Sequence, residues 1–289
     1  DVGSDNITIS VSSDGSYVAV AAGKNVYLFN REGDLLWYYN KGGWRTQVSS
    51  ISLSSDGSYI AAGCSDKKVL FFDRDGELLW EHKIDGWLIN VKCVSVSSDG
   101  SYVAVAGVDI YVFDREGELL WRHGPRRYFG KDPVPYIVSV AVSSDGSYVA
   151  ARGDNSVLLF NNIGDLLWRY NMSGSEIPTK PRGVAISSDG SSVAAGGEKV
   201  YLFNRDRNVD YPKVLWSYKT RSDVHGGVSM SSDGSYVAAA AGGSLVFFNS
   251  EESEKKVLKD AHSLIPDELG SSETYITEKE TVTTKERKI

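Results

Sequence analysis

The stretch Val11-Ser12-Ser13-Asp14-Gly15-Ser16-Tyr17-Val18-Ala19-Val20, VSSDGSYVAV, returns almost unchanged until the chain has written it six times. Its aspartates are Asp14, Asp56, Asp99, Asp145, Asp189 and Asp233, separated by 42, 43, 46, 44 and 44 residues. A second word, Leu-Leu-Trp, follows in phase and ends at Trp37, Trp80, Trp121 and Trp168, with Val214-Leu215-Trp216 as its fifth copy. A period of about 43 residues without helical patterning predicts a propeller in which each repeat is one four-stranded blade.

The second repeat shows the strands. Ser50-Ile51-Ser52-Leu53-Ser54 alternates apolar with small polar residues, as a half-buried strand does. Asp56-Gly57 supplies the turn, because Asp bonds its own backbone and Gly tolerates positive φ. Tyr59-Ile60-Ala61-Ala62 is the next strand, and Lys68-Val69-Leu70-Phe71-Phe72, apolar on both faces, is predicted to pack between blades. A turn at Asp75-Gly76 leads to the outer strand, Glu77-Leu78-Leu79-Trp80. A lone blade cannot bury two faces, so stacking is obligatory, and the alanine runs (Ala19 to Ala22, Ala238 to Ala241) let blades approach closely.

The order V-x-S-I-x-L-S-S-D-G-x-Y-I-A-A-G followed by V-L-F-F-D resembles WD40 repeats, with Phe-Asp or Phe-Asn where Trp-Asp usually stands and without that family's Gly-His pair. The Gly-x-Leu-Leu-Trp segments, Gly33 to Trp37 and Gly76 to Trp80, are similar to the tryptophan-docking motif of quinoprotein (PQQ)-like propellers, lacking its usual Thr. Both resemblances imply the fold. Both families host unrelated activities, so neither implies one function.

The expected architecture is all-β, a six-bladed β-propeller of four-stranded antiparallel blades with a C-terminal extension. Repeats lie near 7–47, 48–90, 91–136, 137–180, 181–224 and 225–261, and a tail occupies 262–289. The last blade lacks its Leu-Leu-Trp word; Lys255 to Ala261 fills that place, either as the outer strand or as a short helix braced by Glu251/Lys255 and Glu252/Lys256 pairs. In the tail, Thr274, Tyr275, Ile276, Thr277, Thr281, Val282 and Thr283 give strand propensity without enough apolar bulk for a core. Two readings stand: a solvated extension, or a strand added to a sheet on another molecule.

Composition narrows the function. Hydrophobic residues at 41% and charged residues at 24% suit a packed globular chain, and the net charge of −7 argues against a general nucleic-acid binder. No apolar run approaches the length of a membrane span. Asp1, as a cleaved leader would leave it, and the sequons Asn6-Ile7-Thr8 and Asn171-Met172-Ser173 fit an extracellular or cell-surface setting, with the cytoplasm as the alternative. Cys64 and Cys93 fall toward one end of adjacent blades, so either an inter-blade disulfide or two separate core thiols is expected.

In a WD40-like frame the inter-blade loops share one face. They hold eleven basic residues (among them Lys41, Lys83, Lys92, Lys180 and Lys219) against four acids, Asp85, Asp132, Glu176 and Asp223. Trp44, Arg45, Trp87, Arg126, Arg127, Tyr128, Phe129, Lys131, Arg182 and Arg221 are the candidate partner-binding residues, since arginine among aromatics is the composition of interface anchors. The opposite face gathers the hairpin aspartates with Glu32, Asp34, Asp75, Glu77, Glu116, Glu118 and Asp165, partly offset by Arg31, Arg74 and Arg115.

No nucleophile elbow, phosphate loop or His-Glu metal spacing occurs, and His82, His123, His225 and His262 are scattered. The expectation is therefore a non-enzymatic propeller with neither cofactor nor metal, binding protein, foremost copies of itself, head to tail through opposed basic and acidic faces. The alternatives are a monomeric module for an acidic glycan or another protein, and a quinoprotein-like oxidoreductase.

Overall fold

In the computed structural model, which describes residues 7–43, 46–84, 90–124, 137–153, 156–172, 183–205, 212–219, 224–241 and 244–250, each copy of the repeated word is a hairpin turn. Asp14 shows why. Its Oδ1 accepts from the Ser12 hydroxyl at 2.8 Å and the Ser16 amide at 2.9 Å, its Oδ2 accepts from the Ser16 hydroxyl at 2.6 Å, and Ser12 Oγ in turn accepts from the Tyr17 amide at 3.0 Å. The same lattice recurs at Asp56, Asp99, Asp145 and Asp233, and at Asp189 without the second hydroxyl bond.

These turns fold the described chain into six antiparallel sheets, five of four strands and a sixth of three. Sheet one is β1 (Ile7–Val11), β2 (Tyr17–Ala22), β3 (Asn25–Asn30) and β4 (Leu35–Asn40); sheet two is β5 (Val48–Leu53), β6 (Tyr59–Cys64), β7 (Lys68–Asp73) and β8 (Leu78–Lys83). Sheet three is β9 (Cys93–Val96), β10 (Tyr102–Ala106), β11 (Ile110–Asp114) and β12 (Leu119–His123). Sheet four is β13 (Ser139–Val142), β14 (Tyr148–Arg152), β15 (Ser156–Asn161) and β16 (Leu166–Asn171). Sheet five is β17 (Val184–Ile186), β18 (Ser192–Gly196), β19 (Lys199–Asn204) and β20 (Lys213–Lys219), and sheet six is β21 (Val224–Met230), β22 (Tyr236–Ala241) and β23 (Ser244–Asn249). The segment expected to complete sheet six, Lys255 to Ala261, lies outside the described residues.

The third and fourth strands of every complete sheet slip register at one place. Leu28 faces Trp37 while Phe29 faces Leu35, which leaves Leu36 unpaired, and the same step precedes Phe72, Phe113, Phe160 and Phe203. A bulge of this kind re-aims the side chain beyond it. Here it turns each tryptophan toward the following sheet, so Trp37, Trp80, Trp121, Trp168 and Trp216 pack on Phe72, Phe113, Phe160, Phe203 and Phe248 with ring centres 4.8 to 5.6 Å apart.

The core consists of the layers between sheets. Phe71 and Phe72 are adjacent in sequence and point to opposite faces; Phe71 joins the layer against sheet three and Phe72 the layer against sheet one. Ala19, Ala21, Ala61, Ala62, Ala150 and Ala151 are fully buried, whereas Ala238 and Ala240 of the second alanine run are only half-buried. Backbone bonds add a belt across the hairpins: the amides of Ser13, Ser55, Ser98, Ser144 and Ser188 each donate to the carbonyl of the corresponding serine one sheet on.

A closed ring of six would bury both faces of every sheet, yet the two end faces stay open: Ile7, Ile9 and Val11 of sheet one are about half exposed, as are Tyr236, Leu245 and Phe247 of sheet six, at 38 to 60%. The inter-blade disulfide is not formed. Cys64 points into the layer between sheets one and two, whereas Cys93 packs on the layer between sheets three and four and donates to the Val140 carbonyl, so their thiols face away from each other across two intervening sheets. Burial pushes the Cys64 thiol up to about 12, which makes it unreactive at neutral pH. No helix among the described residues is long and apolar enough to cross a membrane.

Truncating Phe72 to Ala is expected to cost about 3–5 kcal/mol of stability in urea unfolding. Ile163→Ala, on a turn where the side chain is 70% exposed, should stay within about 0.5 kcal/mol. Unfolded, unreduced protein should titrate two thiols per chain; finding none would restore the disulfide.

Candidate functional site

The antiparallel strand order sorts each sheet's connections onto two ends. The turns between first and second strands and between third and fourth strands lie at one end. The turns between second and third strands lie at the other, together with every crossing to the next sheet.

At the hairpin end the six word aspartates are occupied as turn-formers. The Ser16 hydroxyl first, then the Ser16 amide and the Ser12 hydroxyl, hold the Asp14 carboxyl well below the usual carboxylate range. The Ser231 hydroxyl, followed by the Ser235 hydroxyl and amide, brings Asp233 to about 2. At Asp56 partial burial opposes the shift, but bonds from Ser58 and Ser54 outweigh it. Arginines stitch the same turns from the third strand's end: Arg31, Arg74, Arg115 and Arg205 donate to the carbonyls of Asp14, Asp56, Asp99 and Asp189 at 2.6 to 2.7 Å. Sequence reading set Arg31, Arg74 and Arg115 down as charge offsets and passed over Arg205, although each of the four stands 16 to 18 residues after its aspartate. The acids of the adjoining turns, Glu32, Asp34, Asp75, Glu77, Glu116, Glu118 and Asp165, are exposed.

At the connection end the candidate binding residues Trp44, Arg45, Trp87, Arg126, Arg127, Tyr128, Phe129, Lys131, Arg182 and Arg221 lie outside the described residues. So do Thr274, Tyr275, Ile276, Thr277, Thr281, Val282 and Thr283 of the tail. What is described there is partly neutralised. Glu81 of β8 takes both Lys41, at 2.6 Å, and Lys68. Burial alone would lower the Lys41 pKa, but Glu81 more than offsets it and keeps the ammonium above its ordinary range. Arg122 pairs with the buried Asp109. Arg152 is fully buried, its guanidinium donating to the carbonyls of Gly196 at 3.2 Å, Ser156 at 3.1 Å and Gly153, which ties sheet four to sheet five.

The histidines there are packing groups. His82 lies on Phe113 with centres 4.8 Å apart, and His123 lies on Phe160 at 4.7 Å. Burial holds His123 below its ordinary pKa against the pull of Asp109. Among the described residues no group of three His, Cys, Asp or Glu can hold a metal ion, and the tryptophans that resemble the quinoprotein motif are consumed between sheets.

The lowered aspartate pKa values set the pH dependence. An ordinary unfolded Asp titrates near about 3.9, so the native state binds fewer protons over the window below that value. The stability these turns contribute is therefore complete above about pH 4 and is lost as pH falls toward the folded values, about 2 at Asp233. Thermal melts should fall steeply between about pH 4 and pH 2, and Asp145→Asn should flatten that fall; an unchanged slope would contradict the assignment.

A model of PQQ-like repeats, described as outer membrane protein assembly factor BamB, matches residues 2–93 and 90–284. Among solved structures, the β-propeller domain of Cps50 (Swd1) from Myceliophteria thermophila is similar in fold, with a TM-score of 0.68 at 14% identity, covering 89% of this chain and 86% of that one. No curated protein matches by sequence. The repeated words, the stacked antiparallel sheets and a family match spanning nearly the whole sequence together make this chain a member of the PQQ-like repeat family, with a β-propeller fold.

Proposed function

We propose that the chain is a non-enzymatic, protein-binding propeller, an extracellular subunit that associates with copies of itself head to tail. The observation that carries this reading is the segregation of charge by topology. Every crossing between sheets leaves from and returns to one end, and those crossings are where the sequence places its arginines, lysines and aromatics. The other end displays seven exposed carboxylates on the turns between third and fourth strands, distinct from the hairpin aspartates already bonded to serines. A basic, aromatic end and an acidic end on one body favour heterologous contact, in which copies join in series. The family model's description names an assembly factor, which is a binding role.

Native mass measurement across a concentration series tests this. Association that weakens with added salt is the expected result, because exposed charges more than a Debye length apart are screened. Reversing three exposed acids together, Glu32→Lys, Glu77→Lys and Glu118→Lys, should abolish it without unfolding the chain. A monomer at every concentration would reject self-association. Binding of an acidic glycan or another protein, lost on substituting Trp44, Trp87, Arg126 and Arg127 with mass unchanged, would favour the monomeric module instead.

A further inference from the structure

The sequence writes Asp-Gly eight times, and this dipeptide carries a reaction of its own. The glycine amide nitrogen attacks the aspartate Cγ, an N–Cγ bond forms, and the carboxyl hydroxyl leaves with the amide proton as water. The cyclic imide that results takes up water again. When that water adds at the main-chain carbonyl carbon, the bond from this carbon to the glycine nitrogen breaks, and the chain continues through Cγ as isoaspartate. Glycine permits the approach because it carries no side chain beside its nitrogen.

Seven of the pairs lie among the described residues, and Asp85-Gly86 lies outside them. The seven share one backbone. The amides of Gly15, Gly57, Gly76, Gly100, Gly146, Gly190 and Gly234 each donate to the carbonyl three residues back at 2.9 to 3.2 Å, and each glycine has φ between 67 and 88°. The aspartate is thus the third residue of a turn every time. Backbone geometry does not rank the seven.

The carboxylates do. Asp14, Asp56, Asp99, Asp145 and Asp233 each accept three hydrogen bonds, from the serine hydroxyls on either side and from the amide two residues on, and Asp189 accepts two. Such a carboxylate must shed these bonds before its Cγ can swing onto the glycine nitrogen. The imide also forms from the protonated carboxyl. The Ser16 hydroxyl and amide at Asp14, and the Ser231 and Ser235 hydroxyls at Asp233, hold the carboxyl below the usual range and keep that form scarce.

Asp75 is the exception. It stands exposed in the turn between β7 and β8, and among the described residues its carboxylate accepts no hydrogen bond and enters no ion pair. The side chain that orders this turn is Asp73, whose Oδ1 accepts from the Glu77 amide at 2.8 Å. The corresponding positions in sheets one, three and four are Glu32, Glu116 and Ile163, none of which can close a five-membered imide. The turn at Asp75 is also a docking point. Trp37 of sheet one lies over Gly76, with ring carbons 2.8 to 3.1 Å from where a Cβ would stand, and its Nε1 donates to the Arg74 carbonyl at 2.7 Å. Isoaspartate at 75 adds one methylene to the backbone between these two anchors.

We infer that Asp75-Gly76 is a site of spontaneous isoaspartate formation, outpacing the six hairpin pairs, and that its product loosens the seat of Trp37 on sheet two. The assignment is independent of self-association.

Storing the full chain in warm neutral buffer, then digesting it and distinguishing the two linkages by electron-transfer fragmentation, tests this. Isoaspartate should accumulate at Asp75 at least about tenfold faster than at Asp14, Asp56, Asp99, Asp145, Asp189 or Asp233, because reaching the reactive rotamer there costs no charge-assisted hydrogen bond. In urea the seven rates should converge. Equal rates in the folded chain, or the same ranking kept in urea, would overturn the inference. Ser58→Ala, which frees one carboxylate oxygen of Asp56, should raise the rate at Asp56; an unchanged rate would also count against shielding by the serines. Asp75→Glu removes the site. On storage the Leu35–Asn40 amides should come to exchange faster in the natural chain and stay as they were in Asp75→Glu. Identical exchange in fresh and stored natural protein would overturn the effect on Trp37.

Discussion

A sheet with two apolar faces cannot exist alone in water, and almost everything in this molecule follows from that constraint. Phe71 and Phe72 are neighbours in sequence and belong to different cores. Each inner sheet therefore packs between two others, and cohesion lies in the junctions. The repeated words are the parts of that junction. The bulge before each Trp turns an indole toward the next sheet, the serine belt spans the hairpins, and Ser10, Ser50, Ser52, Ser95 and Ser139 accept amide bonds from the next inner strand at 3.0 to 3.3 Å.

The strands, turns and inter-sheet packing were legible because each rests on local chemistry that recurs. Alternation in Ser50-Ile51-Ser52-Leu53 gave a half-buried strand, and Asp-Gly gave the turn. What the words do to one another was not legible. The inner-strand serines read only as the small polar half of an alternation and prove to be bridges. Arg74 read as a surface charge and proves to lie over Tyr17 of the preceding sheet. The cysteines show the limit of reasoning by nearness in the repeat: Cys64 and Cys93 start from adjacent sheets, but strand alternation points them into different layers. Nor can a repeat count reveal whether a ring closes, because closure depends on the angle between sheets, which no single residue encodes.

The same economy divides the charges. Carboxylates of the hairpin word are consumed by serine hydroxyls and amides, so they stabilise turns and leave little for a partner. Those on the turns between third and fourth strands stay in solvent, at the end opposite the crossings. Lys41 and Lys68 share Glu81, so part of the positive charge at the opposite end is held in ion pairs. What such a fold does depends on the sites its surfaces carry rather than on the stack itself.

Because cohesion is assigned to junctions between neighbouring sheets, a double-mutant cycle tests the account most directly. Trp80 and Phe113 touch across one junction, with ring centres 5.6 Å apart, whereas Trp37 and Phe113 are separated by sheet two. Urea unfolding of Trp80→Ala, Phe113→Leu and the double variant should return a coupling of about 0.5–1.5 kcal/mol. The Trp37/Phe113 pair should be additive within about 0.5 kcal/mol. Coupling absent at the first pair, or equal at both, would contradict the claim that neighbouring sheets hold this molecule together.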